Sequence, residues 1–286
     1  MARETAKIID GKALAEKILL ELKANITKLD RHPGLAAILI GDDAPSHLFV
    51  KNKKKASVKV AINFHDYLCN KPGSPNASET EILEMINFLN NDENIDAIIV
   101  QLPIPQQFNT QKIIDQISPA KDADGFHPKN HRKFLAGKST ITPPLILAVE
   151  TALKATKENL ANKKAVIVSK NPIFSDPLKI SLENKGLKVV HTKPVKDLEK
   201  ITKTADVLLV ILGQPGIIKK EMIKEGAIVI DMGINLIKEN KWVGDVDPQA
   251  AQVASWLTPV PGGIGPLTVA CLLKNTYDLA KQNQTN

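Results

Sequence analysis

The stretch Leu35-Ala36-Ala37-Ile38-Leu39-Ile40-Gly41-Asp42-Asp43-Ala44-Pro45-Ser46-His47-Leu48-Phe49-Val50-Lys51-Asn52-Lys53-Lys54-Lys55-Ala56 decides the architecture of this chain. An unbroken apolar run comes first, then a turn signal from Gly41 to Pro45, then a basic segment opening at Pro45 and Ser46. That order reads as a strand buried on both faces, a turn and a helix. On a helix, residues four apart share a face, so Phe49 and Lys53 are neighbours and Ser46 lies one turn before Phe49. This face carries a hydroxyl, an aromatic ring and an amine, while Lys51, Lys54 and Lys55 spread around the other sides. A lysine run is ordinarily a solvated helix face. What sets Lys53 apart has to come from the rest of the chain.

The same alternation extends in both directions. Before it, Asp10 to Asp30 reads as an amphipathic helix with Asp10 as N-cap and Ala13, Ile18, Leu19, Leu22, Ile26 and Leu29 on one stripe. After it come a second strand, Asn63 to Leu68, and a loop from Lys71 to Ala77 containing Pro-Gly and Ser-Pro. A helix then opens at Ser78, with Glu81 in capping-box spacing. A third strand, Ala97 to Val100, closes at Gln101-Leu102-Pro103, and a short helix covers Gln111 to Ile117. Apolar strands alternating with helices predict a parallel sheet.

From Lys121 to Pro144 the pattern lapses, which marks a domain junction. A second series follows: a helix from Leu145 to Ala155, then strands at Ala165–Val168, Leu187–Val190, Val207–Leu212 and Ala227–Ile230. Helices are expected from Pro177 to Lys185, with Asp176 as N-cap, and from Asp197 to Thr204. Trp256-Leu257 reads as a last short strand. Leu267 to Lys281 reads as a terminal helix packing back on the first domain.

Composition narrows the function classes. At 286 residues the chain can hold two domains, and 43% hydrophobic with 24% charged residues is ordinary for a soluble protein. No apolar run has the length of a membrane span, and the N-terminus carries no secretory h-region. Cys69 and Cys271 are far apart, against a zinc site or a disulfide framework, so no metal and a reducing cytoplasm are expected. The net charge of +7 favours anionic partners, yet aromatic content of 4% and the lack of a binding motif argue against nucleic acid. Phosphorylated cofactors and polycarboxylate substrates suit the charge.

In open parallel sheets, ligands sit beyond the carboxyl ends of the strands. Lys53, Gln101, Asp122 and Asp124 all fall at or just after such ends in the first half. In the second half, the first strand is followed by Ser169-Lys170-Asn171-Pro172-Ile173-Phe174-Ser175-Asp176-Pro177, which lacks the G-x-G-x-x-G fingerprint. Glycines come later, in Gly213-Gln214-Pro215-Gly216 and Asp231-Met232-Gly233-Ile234-Asn235. The segment Thr258-Pro259-Val260-Pro261-Gly262-Gly263-Ile264-Gly265-Pro266-Leu267-Thr268 is dense in turn residues and points to a ligand contact.

Together these stretches resemble the bifunctional methylenetetrahydrofolate dehydrogenase/cyclohydrolase family over nearly the whole chain. The Tyr-x-x-x-Lys helix of that family is similar to Phe49 through Lys53, and its Gln-Leu-Pro-x-Pro element to Gln101–Pro105. Its Lys-Asp-x-Asp-Gly-Phe element is similar to Lys121–Phe126, and its Pro-Gly-Gly-x-Gly-Pro-x-Thr element to Pro261–Thr268; Gly244-Asp245-Val246-Asp247 also resembles the family. The resemblance implies an α/β protein of two domains. One is a three-layer folate-binding catalytic domain, residues 1–143 plus 267–286; the other is a Rossmann-like nucleotide-binding domain, 144–266.

It further implies NADP, with NAD as the alternative, and a tetrahydrofolate derivative as substrate, in a cytoplasmic homodimer serving one-carbon metabolism and purine synthesis. Lys53 and Gln101 would be catalytic; Phe49, Asp124, Pro261, Gly262 and Gly263 would bind substrate. Ser169, Lys170, Asn171, Thr192, Gly213, Ile234 and Thr268 would contact the cofactor.

The chain departs from the family at several positions. Phe49 replaces the tyrosine, removing a hydroxyl. In the family's Gly-Arg-Ser-x-x-Val-Gly-x-Pro loop, Ser169 and Ser175 replace both glycines, Lys170 the arginine and Asn171 the serine. The Pro-Cys-Thr-Pro-x-Gly stretch keeps only Thr142 and Pro143. Crowding by the serines, and an Asp176 carboxylate at the donor-rich start of a helix, are expected to oppose a phosphate. These departures favour, as the alternative, a diverged folate-binding paralogue with weak or absent dinucleotide binding, retaining the hydrolase step alone or neither.

Overall fold

A computed structural model describes residues 5–69, 77–238 and 241–285, so the expected loop at 71–77 lies, but for Ala77, outside them. In chain order the elements begin with β1 (Lys7–Ile8), α1 (Gly11–Ile26), β2 (Gly34–Ile40), α2 (Ala44–Lys59), β3 (Asn63–Cys69) and α3 (Glu79–Asn91). They continue with β4 (Ala97–Val100), α4 (Thr110–Gln116), α5 (Pro128–Leu135), α6 (Pro144–Ala155), β5 (Lys164–Ser169), α7 (Pro172–Asn184) and β6 (Lys188–Thr192). The last are α8 (Leu198–Thr202), β7 (Val207–Ile211), β8 (Ile228–Asp231), β9 (Asn235–Ile237), β10 (Lys241–Val243), β11 (Trp256–Leu257) and α9 (Ile264–Thr285). The chain divides into two compact units, one of residues 1–15 with 145–268, the other of 16–144 with 269–286.

The second of these units holds a parallel three-stranded sheet in the order β3-β2-β4. Every residue of β2 and β4 is buried, as their unbroken apolar runs require of strands covered on both faces. On one face Ala36, Ile38, Ile40, Ile98 and Val100 pack against Ile82, Ile86 and Leu89 of α3 and Ile113 of α4. Each such fully buried aliphatic side chain contributes about 1.5–3 kcal/mol.

Helix starts in this unit follow the caps read from the sequence. Asp10 accepts from Ala13 N at 3.0 Å. The start of α2 is the exception: it opens at Ala44 on a cap the sequence reading did not name, Asp43, which accepts from Ser46 N at 3.0 Å. Ser78 and Glu81 form the reciprocal capping box of α3, a kind of cap worth about 1 kcal/mol. The helix α5 lies inside the stretch expected to be irregular; it is set by His127, whose side chain accepts from Lys129 N, and by Pro128 in its first turn. The terminal helix α9 joins this unit as expected: the buried Asn275 donates to the carbonyls of Ala123 and Thr142, each at 2.9 Å.

The other unit is a six-stranded parallel sheet in the order β1-β11-β8-β7-β5-β6. The order reverses at β5, which has β6 on one side and β7 on the other, the switch point of a doubly wound sheet. The first fifteen residues cluster here and not with the catalytic unit, where they were expected. The reason is β1, whose Lys7 and Ile8 pair with Trp256 and Leu257 and make the outer strand; two residues are too short a run for periodicity to reveal. The hairpin β9–β10 escaped the sequence reading for the same reason.

A second correction concerns α7. It begins at Pro172, not Pro177, and its N-cap is Asn171, whose side chain accepts from Ile173 N at 3.1 Å. Asn171-Pro172 is itself a cap followed by a proline at the first helical position, so the helix starts at the earlier of two equivalent signals. Pro177 lies in the second turn, where it forgoes one backbone bond.

Candidate active site

The junction after β4 runs along the β4 edge of the three-stranded sheet. Asp122 bridges Ile98 in parallel, with Ile98 N donating to Lys121 O at 2.7 Å, so the segment runs alongside β4. The buried Asp122 carboxylate then folds the chain back, accepting from Gly125 N (2.9 Å), Phe126 N (3.3 Å), His127 N (2.9 Å) and Asn130 Nδ2 (3.0 Å). Gly125 has φ +72°, the left-handed conformation that this tight reversal requires. Asp124 is held at the tip of that turn.

Lys53 is buried while Lys51, Lys54 and Lys55 are exposed, and Lys54 is occupied by Asp66 at 2.8 Å. The Lys53 Nζ donates to Gln101 Oε1 at 2.8 Å, and the Gln101 amide nitrogen donates to Leu102 O at 2.8 Å. Gln101 directly follows β4 and is anchored by its own N–H on Ile38 O at 2.8 Å. Burial holds the Lys53 amine below the usual lysine range, and the Asp124 charge opposes the shift. The exposed Lys51, Lys54 and Lys55 are not among the causes of the shift. Burial pushes the Asp124 carboxyl up to about 6, against the pull of Lys53 and with the help of Asp122. The half-buried Phe49 is one turn before Lys53 on α2.

The remaining candidates lie in the other unit and share the carboxyl edge of its sheet. Ser169 ends β5, Thr192 ends β6, Gly213 follows β7 and Ile234 follows β8. Pro261, Gly262 and Gly263 form the turn after β11, and Thr268 sits in the first turns of α9, donating to Ile264 O at 3.0 Å. Gly263 is tightly enclosed: a methyl group there would lie 2.6 Å from Pro259 O. Ser169 is fully buried; its hydroxyl accepts from Asn171 N at 3.2 Å and its carbonyl meets His191 Nε2 at 3.1 Å.

One expected obstacle to a dinucleotide, the Asp176 carboxylate, falls away, and the serines that crowd the loop do so without backbone strain. The non-glycine residues with positive φ among the described residues are Ala61, Lys157 and Asn162, so Ser169 and Ser175 carry no left-handed strain. Asp176 is an exposed residue inside α7, away from the amide donors at its start. Lys170 is exposed beside the Asn171 cap, and β6 ends in His191-Thr192, followed by Lys193, with no acidic residue, so the edge suits a phosphate-bearing ribose.

Residues 9–124 match the family model described as the tetrahydrofolate dehydrogenase/cyclohydrolase catalytic domain, and 143–284 the one described as its NAD(P)-binding domain. The chain belongs to the tetrahydrofolate dehydrogenase/cyclohydrolase family. It is 43% identical over 283 residues to the bifunctional protein FolD of Geotalea daltonii, covering 97% of this chain and 99% of the relative. Among solved structures it resembles the bifunctional FolD enzyme of Campylobacter jejuni, with 38% identity, a TM-score of 0.89, and 97% and 99% of the two chains covered. The Trypanosoma brucei dehydrogenase-cyclohydrolase, solved with NADP cofactor and inhibitor, aligns at 30% identity and TM-score 0.89 over 97% of this chain and 98% of that one.

Within this family member the sequence reading missed the supporting residues. Asp122 was noted without a role, and Asn130, Asn275, Asp231 and Asp245 were given none. The signal for the aspartates was present, since Asp122 opens the Lys121–Phe126 motif and Asp245 lies in Gly244–Asp247.

Proposed function

We propose that the chain oxidises 5,10-methylenetetrahydrofolate with NADP and hydrolyses the resulting methenyl cation to 10-formyltetrahydrofolate. The observation that carries this reading is the buried Lys53 amine held by Gln101 at 2.8 Å, with Asp124 as its charge partner. A lysine works as a base near neutral pH when burial favours its uncharged form. Neutral Lys53 takes a proton from the water whose oxygen adds to the methenyl carbon. As the carbonyl forms and the bond from that carbon to N5 breaks, the ammonium returns a proton to N5, and the proton of the former hydroxyl leaves to solvent.

Gln101 fixes the amine's direction, and the ionised Asp124 accepts hydrogen bonds from the pterin. The Phe49 ring stacks on the folate without the hydroxyl of its family counterpart, and Pro261, Gly262 and Gly263 present a rigid backbone turn to the substrate. Ser169, Lys170, Asn171, Thr192, Gly213, Ile234 and Thr268 would hold the dinucleotide, with Lys170 and Lys193 near its 2′-phosphate. Bound NADP supplies the hydride acceptor for the oxidation.

No helix among the described residues is long and apolar enough to cross a membrane. We place the enzyme in the cytoplasm, feeding purine synthesis, as a homodimer through the nucleotide unit. The open edge at β6, with Val190 38% exposed, supports that assembly.

The test is hydrolysis of methenyltetrahydrofolate, followed by its absorbance. Lys53→Met should abolish turnover while calorimetry still detects folate binding; undiminished hydrolysis would refute the assignment. Titration with NADP separates the bifunctional enzyme, which binds it at micromolar concentration, from the diverged paralogue, which does not.

A further inference from the structure

Two buried carboxylates in the nucleotide unit take no part in the chemistry above. Asp231 ends β8 and is 3% exposed; Asp245 follows β10 and is fully buried. Asp245 Oδ2 accepts from Leu212 N (2.6 Å) and Gly213 N (3.1 Å), while its Oδ1 accepts from Gln214 N (2.7 Å) and Asn235 Nδ2 (3.0 Å). Asp231 Oδ1 accepts from Gly233 N (2.9 Å) and from the backbone of Asp245 itself (3.1 Å), and Oδ2 from Val246 N (2.9 Å). Asp231 therefore seats Asp245, and Asp245 in turn gathers the loop after β7 and the corner before β9.

The glycines around the pair are there to admit it. A methyl group on Gly233 would lie 2.2 Å from Asp245 Cγ, and one on Gly244 would lie 1.9 Å from Asp231 Oδ2. Neither contact could be relieved by a flexible side chain, because both carboxylates are pinned by backbone donors. Residues 212–214 and 233–235 form the ligand edge of the sheet beyond β7 and β8, and Gly213 is exposed there with φ +66°.

We propose that Asp245, seated on Asp231, is a positioning residue for the dinucleotide: it sets the path of residues 212–214 and of the Ile234–Asn235 corner, so that Gly213 and Ile234 line the cofactor cleft. This rests on the reading that Gly213 and Ile234 contact the dinucleotide. An amide in place of the Asp245 carboxylate would aim an NH₂ group at two of the backbone donors it now satisfies. Asn235→Ala removes one donor and leaves the carboxylate, so it is the milder probe.

The experiment uses the full chain. NADP affinity is measured by calorimetry, folding by thermal unfolding, and methenyltetrahydrofolate hydrolysis, whose base Lys53 lies in the other unit, is the second readout. Asp245→Asn should weaken NADP binding at least tenfold and Asn235→Ala about threefold, with hydrolysis by the folded protein unchanged. Gly213→Asn, which tolerates the left-handed backbone and whose Cβ would meet only Asn235 Oδ1, at 4.0 Å, tests the underlying reading directly.

If Gly213→Asn weakens NADP binding and Asn235→Ala and Asp245→Asn do not, the positioning role is overturned and the cofactor assignment stands. If none of the three weakens it, the assignment falls and the inference with it. Parallel loss of NADP binding and hydrolysis in Asn235→Ala would show a general folding role and overturn positioning. Should Asp245→Asn fail to fold, Asn235→Ala decides.

Discussion

Each unit pairs two ionisable groups, a buried Lys53 with a half-buried Asp124 in one and the buried Asp231 with Asp245 in the other, and the pairs are treated in opposite ways. In the catalytic unit, Lys53 is buried with one hydrogen bond, to Gln101, and among the described residues no hydrogen bond reaches the Asp124 carboxylate. In the nucleotide unit, Asp231 and Asp245 accept seven hydrogen bonds between them. Groups kept short of partners have spare capacity to exchange protons and bind substrate. Groups saturated by backbone donors have no lone pair left for a substrate, and hold the chain in place. Burial alone does not distinguish a reactive group from a structural one; the hydrogen-bond inventory does.

The largest test of this contrast is Lys53→Met. Hydrolysis should fall by about two to four orders of magnitude, the scale of a lost general base, while the melting temperature stays level or rises. A marked drop in melting temperature would place Lys53 with the structural pair. Asp231→Ala should behave in the opposite sense. It strands Gly233 N, Asp245 N and Val246 N at about 1–3 kcal/mol each, lowering stability while hydrolysis by the protein that remains folded persists.

Titration separates the pairs further. Hydrolysis should rise as pH passes through about 6 and Asp124 ionises, and go on rising as Lys53 deprotonates below the usual lysine range. Asp124→Asn should remove the step near 6. In the nucleotide unit, burial and the Asp245 charge push Asp231 up to about 7. A carboxyl raised by folding binds its proton more tightly in the native state. Its contribution to stability is therefore full below the ordinary carboxyl pKa of about 4 and is lost as pH rises to about 7. Urea unfolding at a series of pH values should show that decline, and Asp231→Asn should flatten it.

Smaller effects probe the departures from the family. Phe49→Tyr should change the hydrolysis rate by no more than about tenfold, the scale of one neutral hydrogen bond, as steady-state assays at fixed pH would show. Asp176→Ala should alter NADP affinity by less than about 0.5 kcal/mol, because the residue is an exposed position inside α7. A large gain in affinity would restore the view that this carboxylate repels phosphate.

Much of the fold was legible because long, strongly patterned segments announce themselves. The run Leu35 to Ile40, the Ser78–Glu81 box and the stripe after Asp10 each became the element they signalled. Most short elements did not: β1, β9 and β10 have two or three residues and owe their structure to the strand beside them, although the two-residue β11 was read correctly. The start of α7 was misplaced because Asn171-Pro172 and Asp176-Pro177 are both valid cap pairs, and local chemistry does not rank them.

The sequence by itself determined the alternating α/β series, the caps and the residue types gathered at the strand ends, since these follow from apolar periodicity and local hydrogen bonding. Tertiary structure alone decided which lysine of the basic helix is buried, and which aspartates are locked by backbone donors and which is left open. Those outcomes depend on desolvation and on backbone donors from segments distant in the chain. Lys53 differs from Lys54 in that one faces Gln101 and the other Asp66.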